Sequence, residues 1–238
     1  MESKLILFDV DGTLIDTAGA GKRAMEHAFG EVFGLEGFER ADGVAYAGRT
    51  DPVILEGLAR AFSIRPVTFR ENRDRLERIF VRALAGEMAR PDERRRLLPG
   101  VRPLLERLDA LAEIHLGLLT GNIEAGARAK LEPFGLNHFF PSGGFASDHP
   151  DRREIARIAC RKLSDLTGIP FRPEDVTVVG DTEHDVDCAR ANHYRSVAVD
   201  SGWVDRGALE RACPDALLDD LSDPGVMQAL GILDQAPR

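Results

Sequence analysis

Short runs of apolar residues recur along the chain and predict buried β-strands. They lie at residues 5–8, 116–119, 176–179 and 197–199, and stretches of helical periodicity separate them. A strand that is apolar on both faces is covered on both sides, and alternation of such strands with helices is typical of a parallel sheet. The pattern therefore predicts an α/β fold with a doubly wound, Rossmann-like core of parallel strands.

The first two strands are too far apart in the chain for a simple connection. About a hundred residues separate them, whereas a βαβ unit takes roughly 30. Asp51 stands where a helix N-cap is expected, with Pro52 in the first turn. Further on, apolar residues recur at helical steps: Phe69, Leu76, Ile79, Phe80 and Ala83. We expect residues 17–93 to form an all-helical cap domain, inserted into a core domain of residues 1–16 and 94–238.

Composition and charge exclude several classes of protein. Hydrophobic residues make up 43% of the chain, yet no apolar run approaches the roughly 20 residues of a membrane span. The first apolar run ends at Phe8 and is too short for the core of a signal peptide, so we expect a cytoplasmic protein. The formal net charge of −9 disfavours binding to nucleic acid.

Two carboxylates follow the first strand directly. Asp9 and Asp11 precede Gly12, at the carboxyl edge of the predicted sheet, where open α/β folds bind ligands. Two carboxylates about 4 Å apart repel each other by about 4 kcal/mol at an effective dielectric constant near 20. The pair therefore requires a proton or a cation, and hard oxygen ligands suit Mg²⁺. For this segment alone, a surface turn with a capped helix is the alternative.

Polar residues follow two further strands in the same way. Thr120, Gly121 and Asn122 follow the second strand, and Asp181 and Asp185 follow the third. Backbone N–H groups at the start of a helix favour an anion. Each segment alone is also typical of an ordinary helix cap, but two acidic strand ends in one sheet favour a functional site.

Two arginines stand near the beginning of another predicted helix. Arg152 and Arg153 precede the helical pattern of residues 155–166. A cation at a helix start opposes the helix dipole, so an anionic partner is expected. Solvation, or pairing with Glu154, is the alternative for either arginine.

These four segments, which follow one another along the chain as Asp9, Thr120, Arg152 and Asp181 at strand ends and a helix start, make the sequence similar to the haloacid dehalogenase superfamily. Over nearly its whole length the chain resembles the phosphatases of that superfamily that carry a helical cap after the first strand, such as phosphoglycolate phosphatases. By this resemblance Asp9 would be the nucleophile that forms an aspartyl-phosphate, and Asp11 the general acid and base. Thr120 would hold the transferring phosphoryl group, with Gly121 and Asn122 beside it.

The resemblance also implies a metal site. Asp9, the backbone carbonyl of Asp11, and Asp181 would bind Mg²⁺, while Asp185 would hold the water ligands of the metal. In relatives a loop of the cap binds the substrate. That role would fall to the residues just before the predicted cap helix, where an arginine suits a carboxylate or a second phosphate: Gly48, Arg49 and Thr50. A surface loop is the alternative for Arg49.

One position departs from the family pattern. Phosphatases of this group usually carry a lysine in the third motif, where this chain has Arg152 and Arg153. Because a guanidinium group is always charged and binds phosphate bidentately, we assign the cationic phosphate clamp to Arg152, with Arg153 next. Lys130 and Lys162, both within helices, are further candidates.

The sequence thus predicts a Mg²⁺-dependent phosphatase of a small phosphorylated metabolite, a phosphoglycolate-like phosphomonoester, acting as a monomer or homodimer. A sugar phosphomutase shares every core motif and is the alternative enzyme. A binding or regulatory module on the same fold is the alternative from another class, although the presence of both Asp9 and Asp11 argues against it.

Overall fold

A central parallel sheet organises the molecule. The computed structural model describes residues 3–41 and 43–232. In these ranges the strands are β1 (Lys4–Phe8), β2 (Ile15–Asp16), β3 (Arg96–Leu97), β4 (Ile114–Leu119), β5 (Gly143–Gly144), β6 (Val176–Gly180), β7 (Arg195–Val199) and β8 (Ala216–Leu218). Six of them form one parallel sheet in the order β5-β4-β1-β6-β7-β8, and β2 pairs with β3 in a separate antiparallel pair.

Helices cover both faces of the sheet. They are α1 (Ala20–Phe33), α2 (Asp51–Ala61), α3 (Pro66–Ala89), α4 (Val101–Asp109), α5 (Glu124–Leu131), α6 (Arg152–Thr167), α7 (Glu183–Ala191), α8 (Arg206–Ala212) and α9 (Val226–Ala229). Leu5 and Leu7 belong to a buried cluster with residues of α6 and α7, whereas Ile6 and Phe8 belong to another with residues of α4 and α5. Successive side chains of a strand point to opposite faces, so the predicted doubly wound core is confirmed. None of the helices in the described ranges combines the length and apolar composition of a membrane span.

The strand order brings the motif segments together. Strand β1 lies between β4 and β6, and Phe8 is aligned with Leu118 on one side and with Val179 on the other. The carboxyl ends of these three strands therefore reach the same edge of the sheet. The acidic segment after β1 stands between the polar segment after β4 and the acidic segment after β6.

Helices α1, α2 and α3, which we call the helical insert, lie between β2 and β3. Phe69, Leu76, Ile79 and Phe80 are buried along α3, and they share a cluster with Phe29 of α1. The helical insert begins after β2 and ends before β3, and the pairing of these two strands brings its two ends together.

One predicted helix start is wrong in detail. We expected Asp51 to be the N-cap of α2, but the N-cap is Thr50 and Asp51 is the first helical residue. The Asp51 carboxylate instead accepts a hydrogen bond, 2.9 Å long, from the backbone N–H of Ile123. Ile123 is the N-cap of α5, so neither Thr120 nor Asn122 has that position. The carboxylate of Asp51 thus satisfies the N–H of the N-cap residue itself, one of the N–H groups at a helix start that have no partner within the helix.

Candidate active site

A cavity of about 460 Å³ lies where the carboxyl ends of β1, β4 and β6 face the helical insert. Its volume suits a small molecule. Two of the predicted site residues, Thr50 and Asp185, are buried but are not in the cavity wall. The others all line it: Asp9, Asp11, Gly48, Arg49, Thr120, Gly121, Asn122, Arg152 and Asp181.

Three buried carboxylates converge at this edge of the sheet. Asp9, Asp181 and Asp185 each offer an oxygen atom, and these atoms all lie within 4.8 Å of one another. Burial raises the pKa of Asp9 to about 6, with Arg152 opposing the rise and Asp185 adding to it. Burial, with repulsion from Asp9 and Asp185, raises the pKa of Asp181 to about 8. Buried carboxylates that repel one another gain from a cation, and this set of oxygen donors fits a hard divalent ion such as Mg²⁺.

Two glycines allow this approach of acidic side chains. Gly12 has φ +77°, and a Cβ atom there would lie 2.1 Å from Asp181 Oδ2. A Cβ atom at Gly180 would lie 2.1 Å from Cγ of Asp185. Both distances are far below a van der Waals contact, so each glycine makes room for a carboxylate of the cluster.

Asp185 has a structural task as well as its place in the cluster. Its Oδ2 accepts hydrogen bonds from the backbone N–H (3.1 Å) and the hydroxyl (2.7 Å) of Thr182, which caps α7. Its Oδ1 accepts a hydrogen bond from Nη2 of Arg152. This carboxylate therefore holds both the start of α7 and the neighbouring guanidinium group in place.

The candidate clamps differ in where the structure places them. Arg152 is buried, lines the cavity and brings Nη2 to 3.0 Å from Asp9 Oδ2. Arg153 points elsewhere and pairs with the exposed Asp187 at 2.8 Å. Lys162 pairs with Asp148, also outside the cavity wall. Of the two arginines, Arg152 alone lies among the residues of the cavity.

The polar segment after β4 is joined to the general-acid candidate by hydrogen bonds. The side-chain amide of Asn122 donates to both Thr120 Oγ1 and Asp11 Oδ2, each at 2.8 Å. Lys130 is 6% exposed, and its Nζ lies 2.6 Å from both Asp11 Oδ2 and Asn122 Oδ1. Lys130 is only a further candidate in the sequence because it lies within a helix, yet the structure places it in the cavity wall beside Asp11.

The loop that precedes α2 packs directly on the core. A Cβ atom at Gly48 would lie 2.4 Å from the His184 ring, and one at Gly121 would lie 2.6 Å from the carbonyl oxygen of Arg49. Thr50 is buried, and its hydroxyl has no hydrogen-bond partner among the described residues. Glycine is thus required on both sides of this contact.

Further residues of the cavity wall are not among the predicted site residues. They are Met25 of α1, Tyr46 of the loop between α1 and α2, Ile54 of α2 and Trp203 of the loop after β7. Met25 and Ile54 look in the sequence like ordinary apolar positions of helices, so no signal marks them. Trp203 follows a strand of the same sheet, and that position is the signal that could have identified it.

Comparisons with known proteins agree with this geometry. Residues 3–193 match a family model described as haloacid dehalogenase-like hydrolase. The chain is 30% identical over 227 residues to a phosphoglycolate phosphatase of Agrobacterium fabrum, with 92% of this chain and 90% of that protein covered. It is 31% identical over 218 residues to a phosphoglycolate phosphatase of Mesorhizobium japonicum, with 88% of each covered.

Among solved structures, CbbY from Rhodobacter sphaeroides in complex with phosphate has the same fold. The TM-score is 0.72 at 22% identity, and the match covers 96% of this chain and 99% of that one. The chain belongs to the haloacid dehalogenase-like hydrolase family. These findings confirm the resemblance and the Rossmann-like core, and they support the predicted enzyme class, a phosphoric monoester hydrolase.

Proposed function

We propose that this enzyme hydrolyses the phosphate ester of a small, phosphoglycolate-like metabolite with the help of Mg²⁺, through an aspartyl-phosphate on Asp9. The observation that carries the proposal is the convergence of Asp9, Asp181 and Asp185 with Arg152 at one sheet edge. Phosphoryl transfer depends on positioning and on neutralising charge, and this edge holds groups for both. The relatives named phosphoglycolate phosphatase support the substrate class.

Asp9 and Asp11 have the two chemical roles in the proposal. A carboxylate oxygen of Asp9 attacks phosphorus while the bond from phosphorus to the leaving oxygen breaks, and Asp11 gives that oxygen its proton. In the second step Asp11 takes a proton from a water molecule whose oxygen attacks the same phosphorus atom. Inorganic phosphate leaves and the Asp9 carboxylate is restored. One difficult displacement is thereby divided into two easier ones.

Arg152 and the segment after β4 are the proposed phosphoryl-binding groups. The Arg152 Nε atom is buried without a hydrogen-bond partner among the described residues. Because buried N–H groups are nearly always paired, a phosphate oxygen is a fitting acceptor for it. The Thr120 hydroxyl, with Gly121 and Asn122 beside it, would hold the transferring group on the side of β4.

The proposed Mg²⁺ ligands are Asp9, the backbone carbonyl of Asp11, and Asp181, with Asp185 holding water ligands. A bound Mg²⁺ ion would supply positive charge to the transferring phosphoryl group. Among the described residues, the hydroxyls of Thr13 (3.4 Å) and Ser201 (3.3 Å) donate hydrogen bonds to the Asp181 carboxylate. No Lys or Arg of the described ranges forms an ion pair with Asp181, which supports a metal ion at this carboxylate.

We further propose that residues 17–93 act as a cap on a catalytic core of residues 1–16 and 94–238. Closure of the cap would exclude water from the phosphoryl group. Gly48, Arg49 and Thr50 lie at the contact between the insert and the core, as described above. Arg49 lines the cavity and would bind the carboxylate of a phosphoglycolate-like substrate.

Phosphate release from a panel of phosphorylated metabolites, with Mg²⁺ and with a chelator, tests the proposal. We expect turnover of at least one small ester, and its loss on chelation. Asp9→Asn should lower the rate by about four orders of magnitude or more, because the nucleophile is removed. Asp187→Asn, which changes an exposed carboxylate paired with Arg153, is the matched control and should keep the wild-type rate.

Three outcomes would contradict the proposal. Equal rates for the wild type and Asp9→Asn would exclude Asp9 as the nucleophile. Isomerisation of a sugar phosphate without phosphate release would identify a mutase. No reaction with any ester, together with retained ligand binding, would identify a binding module.

A further inference from the structure

Two donors converge on one oxygen of the proposed general acid. The ammonium group of Lys130 and the amide of Asn122 both donate to Oδ2 of Asp11. An oxygen that accepts two hydrogen bonds, one of them from a charged group, is a poor place for a proton. The proton that Asp11 donates therefore belongs on Oδ1.

Lys130 is enclosed by the helical insert as well as by the core. Asp51 of α2 donates its backbone N–H to the Gly121 carbonyl (2.7 Å) and accepts the N–H of Ile123 with its carboxylate. The buried negative charge of Asp51 attracts the ammonium group of Lys130. From α1, a Cβ atom at Gly21 would lie 3.5 Å from Lys130 Nζ. The ammonium group thus lies between two helices of the insert and the general-acid candidate.

We propose that Lys130 is a positioning residue that directs the proton of Asp11 to Oδ1, and that Asp51 keeps Lys130 in place while the insert is docked on the core. The inference rests on the proposed phosphatase activity. In the first step the Oδ1–H bond breaks and the proton passes to the leaving oxygen as its bond to phosphorus breaks. In the second step Oδ1 receives a proton from the attacking water. Lys130 keeps its own protons throughout.

The dependence of the rate on the leaving group distinguishes this role from direct contact with phosphate. An alkoxide needs a proton to leave, whereas 4-nitrophenolate is stable as an anion and does not. Loss of general-acid catalysis therefore slows an alkyl phosphate far more than 4-nitrophenyl phosphate. Loss of a group that touches the phosphoryl oxygens slows both esters alike. The ratio kcat/KM reports the step of transfer to Asp9, in which the leaving group departs.

The experiment measures kcat/KM for a small alkyl phosphate and for 4-nitrophenyl phosphate. Lys130→Met should lower the alkyl value by about 100-fold and leave the aryl value within about threefold. Asp11→Asn should show the same selectivity, and the double variant should lose no more than Asp11→Asn alone, because both changes remove one function. Lys162→Met is the matched control, since this lysine pairs with Asp148 outside the cavity, and should leave both values unchanged.

Equal losses on the two esters would overturn the inference and leave the proposed function intact. A wild type without activity on any phosphate ester would overturn both. Asp51→Asn is the second variant should Lys130→Met fail to fold, because the asparagine oxygen still accepts the N–H of Ile123. It should lower the alkyl value selectively, by about tenfold. An unchanged alkyl value would overturn the role of Asp51, and an equal loss on both esters would overturn the inference.

Discussion

Two buried cations contact different carboxylates of the candidate site, and they are held in different ways. Arg152 is the first residue of α6 and bridges Asp9 and Asp185 with its guanidinium group. Lys130 lies in the last turn of α5 and contacts Asp11 with its ammonium group. A planar guanidinium group suits two carboxylates and a phosphate, whereas an ammonium group acts as a compact point charge. Arg152 contacts the proposed nucleophile, Asp9, and Lys130 contacts the proposed general acid, Asp11.

From the sequence, Arg152 is the assigned clamp and Lys130 only a further candidate, and the positions of the two residues explain the difference. Arg152 stands at a helix start, where a positive charge is unusual. Lys130 lies two turns into its helix, where a lysine is typical of a solvated face, so the sequence makes it no more than a further candidate. Because Cα–Cβ bonds in a helix tilt towards its N-terminus, the long side chain of Lys130 runs back along α5 to the strand end. The distance along the sequence between Lys130 and the strand end therefore underestimates how close its ammonium group comes to the site.

The two cations also leave negative charge uncompensated. Asp9, Asp11, Asp51, Asp181 and Asp185 supply five carboxylates to the site against these two buried cations. The pKa of Asp181, about 8, marks the place where positive charge is missing. A divalent ion there would neutralise carboxylate charge that Arg152 and Lys130 leave uncompensated.

Replacement of Arg152 has the largest expected effect. Arg152→Met leaves Asp9 and Asp185 without their shared partner, so we expect the free energy of unfolding to fall by about 3–5 kcal/mol. We also expect kcat/KM for alkyl and aryl phosphates alike to fall by about 10²- to 10³-fold. Chemical denaturation and kinetics measure the two effects, and Arg153→Met should change neither. A loss confined to the alkyl ester would contradict the difference between the two cations.

Replacement of Asp181 tests whether a divalent metal ion supplies the positive charge that is missing at this carboxylate. For the wild type, Mg²⁺ at 100 times its Kd should add about 2.7 kcal/mol to the free energy of unfolding, and Asp181→Asn should abolish this gain. At pH 7 the metal-free variant should also be more stable than the metal-free wild type, because a buried carboxylate with a raised pKa is removed. Scanning calorimetry with Mg²⁺ or a chelator measures both effects. Asp187→Asn should respond to Mg²⁺ like the wild type, and an Asp181→Asn protein that did so would exclude this metal site.

The smallest expected effect is on the pH dependence of stability, through Asp51, the carboxylate that attracts Lys130. Burial raises the pKa of Asp51 to about 6, although Lys130 opposes the rise. A carboxyl group whose pKa is higher in the folded state binds more protons there, so its ionisation lowers stability as pH rises from about 4 to 6. The wild type should lose roughly 2–3 kcal/mol more over this range than Asp51→Asn. Urea denaturation at several pH values measures this, and parallel curves for the two proteins would refute it.

The sequence by itself determined the α/β core, the family and the polar segments at the strand ends. Buried parallel strands are apolar on both faces, so residues 5–8 and 176–179 are legible as strands without any tertiary information. The residue after such a strand lies at the ligand-binding edge by topology alone. Asp9, Asp11 and Asp181 could therefore be named as neighbours, and the structure places all three in the wall of one cavity.

Tertiary structure alone decided that Lys130 joins Arg152 in the site and what Asp51 does. In the sequence Asp51 looks like the cap of its own helix, yet its carboxylate accepts a hydrogen bond from the backbone N–H of Ile123, 72 residues further along the chain. Lys130 meets Asp11 across 119 residues, while Lys162, with the same side chain, meets Asp148 outside the cavity. The Asp51 contact depends on how the insert packs on the core, and the lysine contacts depend on how α5 and α6 pack within it. The periodicity of neighbouring residues carries no information about such partners.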